Sequence, residues 1–124
     1  LSLRAEVAGG DMHRDSLPGG ADLATLVRVL HDHDDAAVRA LLRRVRAALA
    51  PGGMLLIAEP MAGSPATRRM AEAYFAFYLL AMGSGRARSP AELTVFLREA
   101  GFSDIRTLRT RRPLLTGGLT ARAA

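Results

Sequence analysis

A chain of 124 residues has room for one small domain or for part of a larger one. Its 49% apolar and 23% charged residues exclude a disordered chain, and the absence of cysteine excludes disulfides and thiolate metal sites. The net charge of +5 comes from 17 basic residues that are all arginine and mostly scattered, so we expect no nucleic-acid partner. The longest apolar stretch, residues 73–82, is about half the roughly 20 residues that span a membrane. We therefore expect a soluble, cytoplasmic protein.

The first part of the sequence predicts a strand, a polar loop and a second strand. The first strand runs from Arg4 to Ala8, and a loop with proline and glycine covers residues 13–20. The second strand, Asp22–Leu30, is almost continuously apolar instead of alternating. That pattern is typical of a strand in a parallel sheet covered on both faces.

A helix and another strand follow. Apolar residues recur at helical spacing, and Asp34 or Asp35 is placed to cap the N-terminus of this helix. Pro51-Gly52-Gly53 is expected to end it, and Met54–Ala58 is predicted to be a second buried strand. Strand, helix and strand in this order predict a βαβ unit.

The second half predicts two helices separated by glycines. After a loop at residues 60–65, a long and largely apolar helix is expected over Thr67–Met82, and Gly83-Ser84-Gly85 interrupts it. Ser89-Pro90-Ala91-Glu92 has the pattern of a capping box with proline at the first helical position. The helix that it starts is predicted to end at Ala100-Gly101.

Two predicted strands, Phe102–Arg109 and Leu115–Arg122, close the chain. Their connection is too short for a parallel crossover, so they must be antiparallel. The sequence therefore predicts an α/β fold in which parallel strands end in an antiparallel hairpin.

Titratable side chains follow both strands of the βαβ unit. His31 and Asp32 come directly after the first strand, and Glu59 ends the second. Open α/β sheets bind ligands beyond the carboxyl ends of their strands, so we expect these side chains to lie near one another there. Imidazole, with an ordinary pKa near 6.5, suits a general base whose ring Asp32 or Glu59 orients. The alternative is a surface histidine whose neighbouring aspartates cap the next helix.

A metal site is a weaker hypothesis for the same segment. His31 and His33 are two residues apart and would share a face of a strand. The sequence offers no distant ligand beyond His13 and no spacing typical of zinc sites. We therefore expect no metal.

Asp11 and Met12 follow a glycine pair after the first predicted strand. A carboxylate can accept a hydrogen bond from an adenine amino group, and a thioether can pack on the ring. The alternative is a turn in which Asp11 binds its own backbone.

The apolar helix later in the chain is most simply interpreted as a core helix. If it lies at the crevice, it would form a wall suited to a long hydrocarbon. Its large apolar residues include Tyr74, Phe75, Phe77, Tyr78 and Met82.

Together these motifs resemble the C-terminal catalytic domain of the S-adenosylmethionine-dependent O-methyltransferases, which include the plant caffeate and acetylserotonin-type enzymes. The motifs, in chain order, are Gly10-Asp11-Met12, Leu30-His31-Asp32, Leu49-Ala50-Pro51-Gly52-Gly53 leading to Glu59, and Ala100-Gly101-Phe102. Their order and spacing match the family over nearly the whole chain. Within the family, residues 58–63 and 73–82 are similar to bacterial carotenoid enzymes of the demethylspheroidene (hydroxyneurosporene) O-methyltransferase type.

The resemblance implies an incomplete class I methyltransferase sheet, which is Rossmann-like, and S-adenosyl-L-methionine as the cofactor, with Asp11 and Met12 contacting its adenine. It implies His31 as the base that takes the proton from the substrate hydroxyl, with Glu59 and Asp32 as supporting carboxylates. The implied substrate is a small hydrophobic hydroxylated molecule, expected to be a carotenoid. The full-length protein is expected to be a homodimer that comes near a membrane only through this substrate.

The sequence also departs from the family pattern. Where the family commonly has tryptophan after the His-Asp pair, this chain has His33, and the plant enzymes' second catalytic carboxylate matches Ala87. The lysine often found before the histidine motif is Val27. A glycine-rich loop, an acidic residue for the ribose and the N-terminal dimerisation domain have no counterpart in the sequence. We therefore expect residues 1–124 to be the C-terminal part of a catalytic domain, binding S-adenosylmethionine weakly or not at all by themselves.

Two alternatives stay open at this point. One is a truncated, non-catalytic remnant of such an enzyme. The other is a basic module that binds nucleic acid or an anionic membrane, which a steep salt dependence of binding would reveal.

Overall fold

The computed structural model describes residues 4–62, 73, 76–78, 80–111 and 116–124. Its named strands form one four-stranded sheet in the order β1-β2-β4-β3. They are β1 (Ala21–Val27), β2 (Leu49–Glu59), β3 (Phe102–Leu108) and β4 (Gly117–Ala123). β1 and β2 are parallel, whereas β4 runs antiparallel to both β2 and β3. The predicted α/β fold, with parallel strands followed by an antiparallel pair, is confirmed.

Two helices pack on the sheet and on each other, and both begin at caps that the sequence predicts. α1 (Asp35–Ala48) starts after Asp34, whose side chain accepts a hydrogen bond from a backbone N–H of the first turn. α2 (Pro90–Glu99) starts with a reciprocal capping box between Ser89 and Glu92. α1 contacts β2 and α2, and α2 contacts β3 and β4. The helices therefore share one face of the sheet.

The hydrophobic core lies between this face and the two helices. It holds residues from both helices, from the two central strands and from the turn that follows β1. Its most deeply buried side chains are Leu30, Val38, Leu42, Leu55, Ile57, Leu93, Leu97 and Leu119. Burying a Leu, Ile or Val side chain contributes roughly 1.5–3 kcal/mol, so this layer is the main source of stability for the elements that carry the site.

β2 begins earlier than predicted. α1 ends at Ala48 and β2 starts at Leu49, whereas the sequence predicts a strand from Met54. Proline disfavours the helical conformation in the residue before it, so the chain is already extended ahead of Pro51. Gly52 then has a φ of +76°, and the β1–β2 register shifts across this bulge before the regular ladder resumes at Met54.

Two predictions for the N-terminal strands are wrong. Arg4–Ala8 form no strand and are exposed, because no described strand lies beside them to complete a ladder of hydrogen bonds. β1 ends at Val27 and not at Leu30, and it is not buried on both faces. Leu23 and Val27 are each 55% exposed. Within the described sheet β1 pairs with β2 alone, so it is an edge strand with one open face.

Some predictions fall partly outside the described residues. These are the loop at residues 60–65, the helix Thr67–Met82 and the start of the last strand. Residues 76–78 and 80–82 are helical, and the predicted break follows them, with φ values of +76° at Gly83 and +90° at Gly85. Over the described part of the chain, no helix has the length and apolarity needed to cross a membrane.

Candidate active site

The ends of β1 and β2 meet at a short helical turn, Leu30–Asp32, which carries His31. His31 and Glu59, the last residue of β2, are 3% and 2% exposed. His31 Nδ1 and Glu59 Oε2 are 2.7 Å apart. The expected proximity of these two side chains at the carboxyl end of the sheet is thus confirmed.

The other oxygen of Glu59 is held by the main chain. The N–H groups of Val29 and Leu30 both donate to Oε1, at 2.7 and 2.8 Å. Arg28 has a left-handed φ of +55°, and Val29 is right-handed. Two successive residues of opposite hand direct neighbouring N–H groups at one acceptor, which forms an anion-binding nest. Sequence reasoning misses this feature, because an arginine gives no signal for a left-handed backbone.

These contacts determine how His31 can use its two nitrogens. A carboxylate only accepts hydrogen bonds, so Nδ1 donates to Glu59 and the neutral ring has its lone pair on Nε2. Nε2 lies 3.3 Å from Asp32 Oδ1. That oxygen is buried and accepts no hydrogen bond within the described part of the chain. A proton taken up by Nε2 would therefore face a carboxylate oxygen, an arrangement that suits a general base.

Two arginines that the sequence motifs do not single out lie beside the turn, and one of them, Arg88, holds it from outside. The buried guanidinium of Arg88 donates to the carbonyls of Leu30 and His33, at 2.9 and 2.8 Å, and to Asp35. Arg86 donates to both carboxylate oxygens of Asp35. The hydrogen bond from Arg86, helped by Arg88, lowers the pKa of Asp35 to about 2. The only sequence signal is a pair of arginines two residues apart just before a capping box.

The loop Asp11–Asp15 lies beside the same turn. The rings of His13 and His33 meet edge-on, with centroids 4.8 Å apart. Burial and the neighbouring His13 lower the pKa of His33. Because His31 and His33 contact different partners, they do not converge as a ligand pair. Among the described residues, no three His, Asp or Glu side chains lie close enough to hold a metal ion.

Residues 2–103 match the family model of the O-methyltransferase domain. This chain belongs to that family. The predicted resemblance to the demethylspheroidene type is confirmed, since the chain is 48% identical over 121 residues to demethylspheroidene O-methyltransferase of Rhodobacter capsulatus. It is 46% identical over 121 residues to the same enzyme of Cereibacter sphaeroides. These matches cover 98% of this chain and 31% and 32% of the two relatives.

A solved methyltransferase structure has the same fold. Human N-acetylserotonin methyltransferase in complex with S-adenosylmethionine superposes with a TM-score of 0.76 and 30% identity. The match covers 93% of this chain and 32% of the human one. The described sheet is accordingly part of a class I methyltransferase fold. The chain spans about a third of the length of the relatives that it matches.

The residues predicted to contact adenine are compatible with that role. The side chain of Asp11 is 47% exposed and accepts a hydrogen bond from the N–H of His13, so it closes the local turn that was the alternative. Met12 is half-buried and lines an apolar cavity of about 320 Å³ beside β1 and α1. One residue thus offers a carboxylate oxygen to solvent, and the next places a thioether beside an apolar surface.

Proposed function

We propose that this chain carries the catalytic base of an S-adenosylmethionine-dependent O-methyltransferase whose acceptor is a hydroxyl group on a hydrophobic molecule. The observation that supports the proposal most directly is the buried pair of His31 Nδ1 and Glu59 Oε2, 2.7 Å apart at the carboxyl end of the sheet. Membership of the O-methyltransferase family supplies the reaction class. The relatives' names supply the kinds of acceptor that family members methylate.

In this proposal His31 receives the proton of the acceptor hydroxyl at Nε2. Glu59 holds the ring through Nδ1 and stabilises the imidazolium, while Asp32 Oδ1 faces the new N–H. An alcohol gives up its proton reluctantly, so proton removal accompanies methyl transfer and no free alkoxide forms first. The rest of the protein's contribution is to align the acceptor oxygen and to exclude water.

S-adenosylmethionine, when bound, supplies an electrophilic methyl group attached to a sulfonium. Asp11 and Met12 are the described residues that would hold its adenine. The chain spans about a third of the length of the relatives that it matches, so we expect residues outside it to complete the cofactor site. We expect the isolated chain to bind S-adenosylmethionine weakly or not at all, and calorimetry on residues 1–124 would measure this.

For the acceptor we propose a hydroxylated carotenoid. The two demethylspheroidene enzymes are more similar to this chain than the mouse acetylserotonin enzyme is, at 48% and 46% identity against 42%. The helical residues 76–78 and 80–82 include large apolar side chains that are exposed. Phe77 is 75% exposed and Leu80 is 78% exposed. The ring of Tyr78 lies 6.2 Å from that of His31. An apolar surface next to the base suits an extended hydrocarbon more than a small polar phenol.

The test uses the complete enzyme with S-adenosylmethionine and two acceptors, demethylspheroidene and N-acetylserotonin. We expect methyl transfer to the carotenoid, and we expect His31→Ala to lower kcat by about a hundredfold or more. His33→Ala is the matched control, because His33 lies two residues away and makes no described hydrogen bond or ion pair with Glu59. Near-normal turnover of His31→Ala would contradict the assignment of the base. A preference for N-acetylserotonin would contradict the carotenoid acceptor and leave the base assignment intact.

A further inference from the structure

Arg88 is one of three buried polar or charged residues in the described part of the chain, and the other two are His31 and Glu59. It is 3% exposed. Its Nη1 donates to the carbonyl of Leu30 at 2.9 Å, and its Nη2 donates to that of His33 at 2.8 Å. These two carbonyls lie one residue before His31 and two residues after it. The guanidinium therefore spans the backbone that carries the base.

The turn has little internal support of its own. The bonds that close it, from the N–H of Asp32 to Val29 and from the N–H of His33 to Leu30, are both 3.3 Å long. No side chain caps its N-terminus. Typical N–H···O bonds are about 2.9–3.0 Å long. The bonds from Arg88 are close to this length, whereas the two bonds within the turn are longer. The conformation of the turn thus depends on contacts from outside it, chiefly those of Arg88 on one side and of Glu59 on the other.

Arg88 is itself fixed to the strand that presents Glu59. Its backbone forms a parallel bridge with Met61, two residues beyond the end of β2, and its carbonyl accepts a hydrogen bond from the N–H of Ala62 at 3.1 Å. Its Nε and Nη2 also bind Asp35 Oδ1, at 2.9 and 2.7 Å, at the first residue of α1. One side chain therefore connects the turn with His31, the extension of β2 and the start of α1.

The geometry points to Arg88 as the positioning residue that sets the place of the His31 ring relative to Glu59. It acts through the two flanking carbonyls and not through a described hydrogen bond to the imidazole. The guanidinium binds both carbonyls and the carboxylate with donors on three separate nitrogens, whereas the three donors of a lysine ammonium share one nitrogen and cannot span the same positions. The kinetic part of the test rests on the proposed function.

The experiment compares Arg88→Met and Arg88→Lys with a matched control, Arg86→Met, in the complete enzyme. Arg86 also binds Asp35 but makes no described contact with the turn. We expect Arg88→Met to lower kcat by about tenfold to a hundredfold, since small displacements of a catalytic group cost that much. The KM for S-adenosylmethionine should stay within about twofold, because no cofactor contact changes. Arg88→Lys should recover only part of kcat, and Arg86→Met should keep it within about twofold.

A second readout does not require turnover. In protein labelled with 15N-histidine, the ring resonances of His31, assigned with His31→Gln, should shift in Arg88→Met and in Arg88→Lys but not in Arg86→Met. An unchanged His31 ring in both Arg88 variants would overturn the inference, as would full recovery of kcat by lysine. If Arg88→Met fails to fold, the lysine variant decides by the same criteria. If the wild-type enzyme transfers no methyl group, the proposed function fails, and the ring resonances still decide the role of Arg88.

Discussion

Gly85 packs directly against the backbone of His31. A Cβ atom at position 85 would collide with the carbonyl oxygen of His31 and would lie 2.7 Å from the carbonyl carbon of Asp32. The φ of Gly85 is +90°, a conformation that residues with side chains rarely adopt. Ser84 supports the same approach, since its Oγ donates to the carbonyl of Asp32 at 3.1 Å. The segment before Arg88 can therefore cross the turn this closely only with glycine at position 85.

We predict that Gly85→Ala lowers the free energy of unfolding by about 2–5 kcal/mol, the sum of a left-handed backbone cost and an overpacking cost. It should also lower kcat, because the collision displaces the backbone of His31. Gly83→Ala is the control, since Gly83 has a φ of +76° and nothing within 4 Å of its Cβ position. That variant should lose only about 1–2 kcal/mol. Urea unfolding followed by circular dichroism measures both losses, and equal losses would contradict the close packing at Gly85.

The left-handed backbone of Arg28 gives a second prediction. Its φ of +55° turns the N–H groups of Val29 and Leu30 toward Glu59. Arg28→Gly and Arg28→Asn should stay within about 1 kcal/mol of the wild-type stability, because both residues tolerate this conformation. Arg28→Val should be less stable by at least about 1–2 kcal/mol, because a β-branched residue is disfavoured there.

Measuring kcat distinguishes the effect of the Arg28 backbone conformation from the effect of its positive charge. All three Arg28 variants remove the positive charge, and only valine opposes the left-handed conformation. We therefore expect kcat to fall for valine and to stay near the wild-type value for glycine and asparagine. A similar fall in all three would mean that the guanidinium of Arg28 matters and that the nest does not.

The sequence predicts the core of the site because its signals are local. Titratable residues follow two apolar strands, and parallel strands bring their carboxyl ends to one edge, so the contact of His31 with Glu59 follows from the pattern. Asp34 and Ser89 are likewise predictable as caps, since a cap depends on the residues next to it.

What the sequence does not predict depends on contacts between distant segments. Arg88 is 58 residues from the carbonyl of Leu30 that it binds, and an arginine in the sequence gives no indication of burial. The apolar run of β1 predicts a covered strand, yet its outer face is open, because burial depends on what packs on the strand as well as on its residues. Arg4–Ala8 fail as a strand for the same reason, since a strand needs a neighbour to pair with.

Asp35 gives an acid-stability prediction. Its pKa is lowered from 3.8 to about 2, chiefly by the hydrogen bond from Arg86. The stabilisation is present above the ordinary value near pH 4 and is lost as the pH falls toward 2, because the unfolded chain takes up the proton first. Asp35→Asn should therefore flatten the stability curve between pH 4 and pH 2. Arg86→Met should flatten it in part. Urea midpoints at pH 4, 3 and 2 measure this, and an unchanged slope in Asp35→Asn would contradict it.

His33 gives a prediction of how stability changes with pH near neutrality. Its pKa is lowered from 6.5, first by burial and then by His13, while the carboxylates of Asp32 and Asp34 raise it. A lowered histidine pKa means that stability is complete above about pH 6.5 and declines as the pH falls below that value, because the unfolded state binds the proton more readily. The contact between the His13 and His33 rings should weaken over the same range.

Two substitutions should move the pKa of His33 in opposite directions. His13→Gln removes a group that lowers it, so the pKa should rise. Asp34→Asn removes a group that raises it, so the pKa should fall, and asparagine keeps the N-cap of α1 because it caps helices about as well as aspartate. An NMR titration of the His33 ring protons measures both shifts. A His33 pKa that does not rise in His13→Gln would contradict the contact between the loop Asp11–Asp15 and this turn.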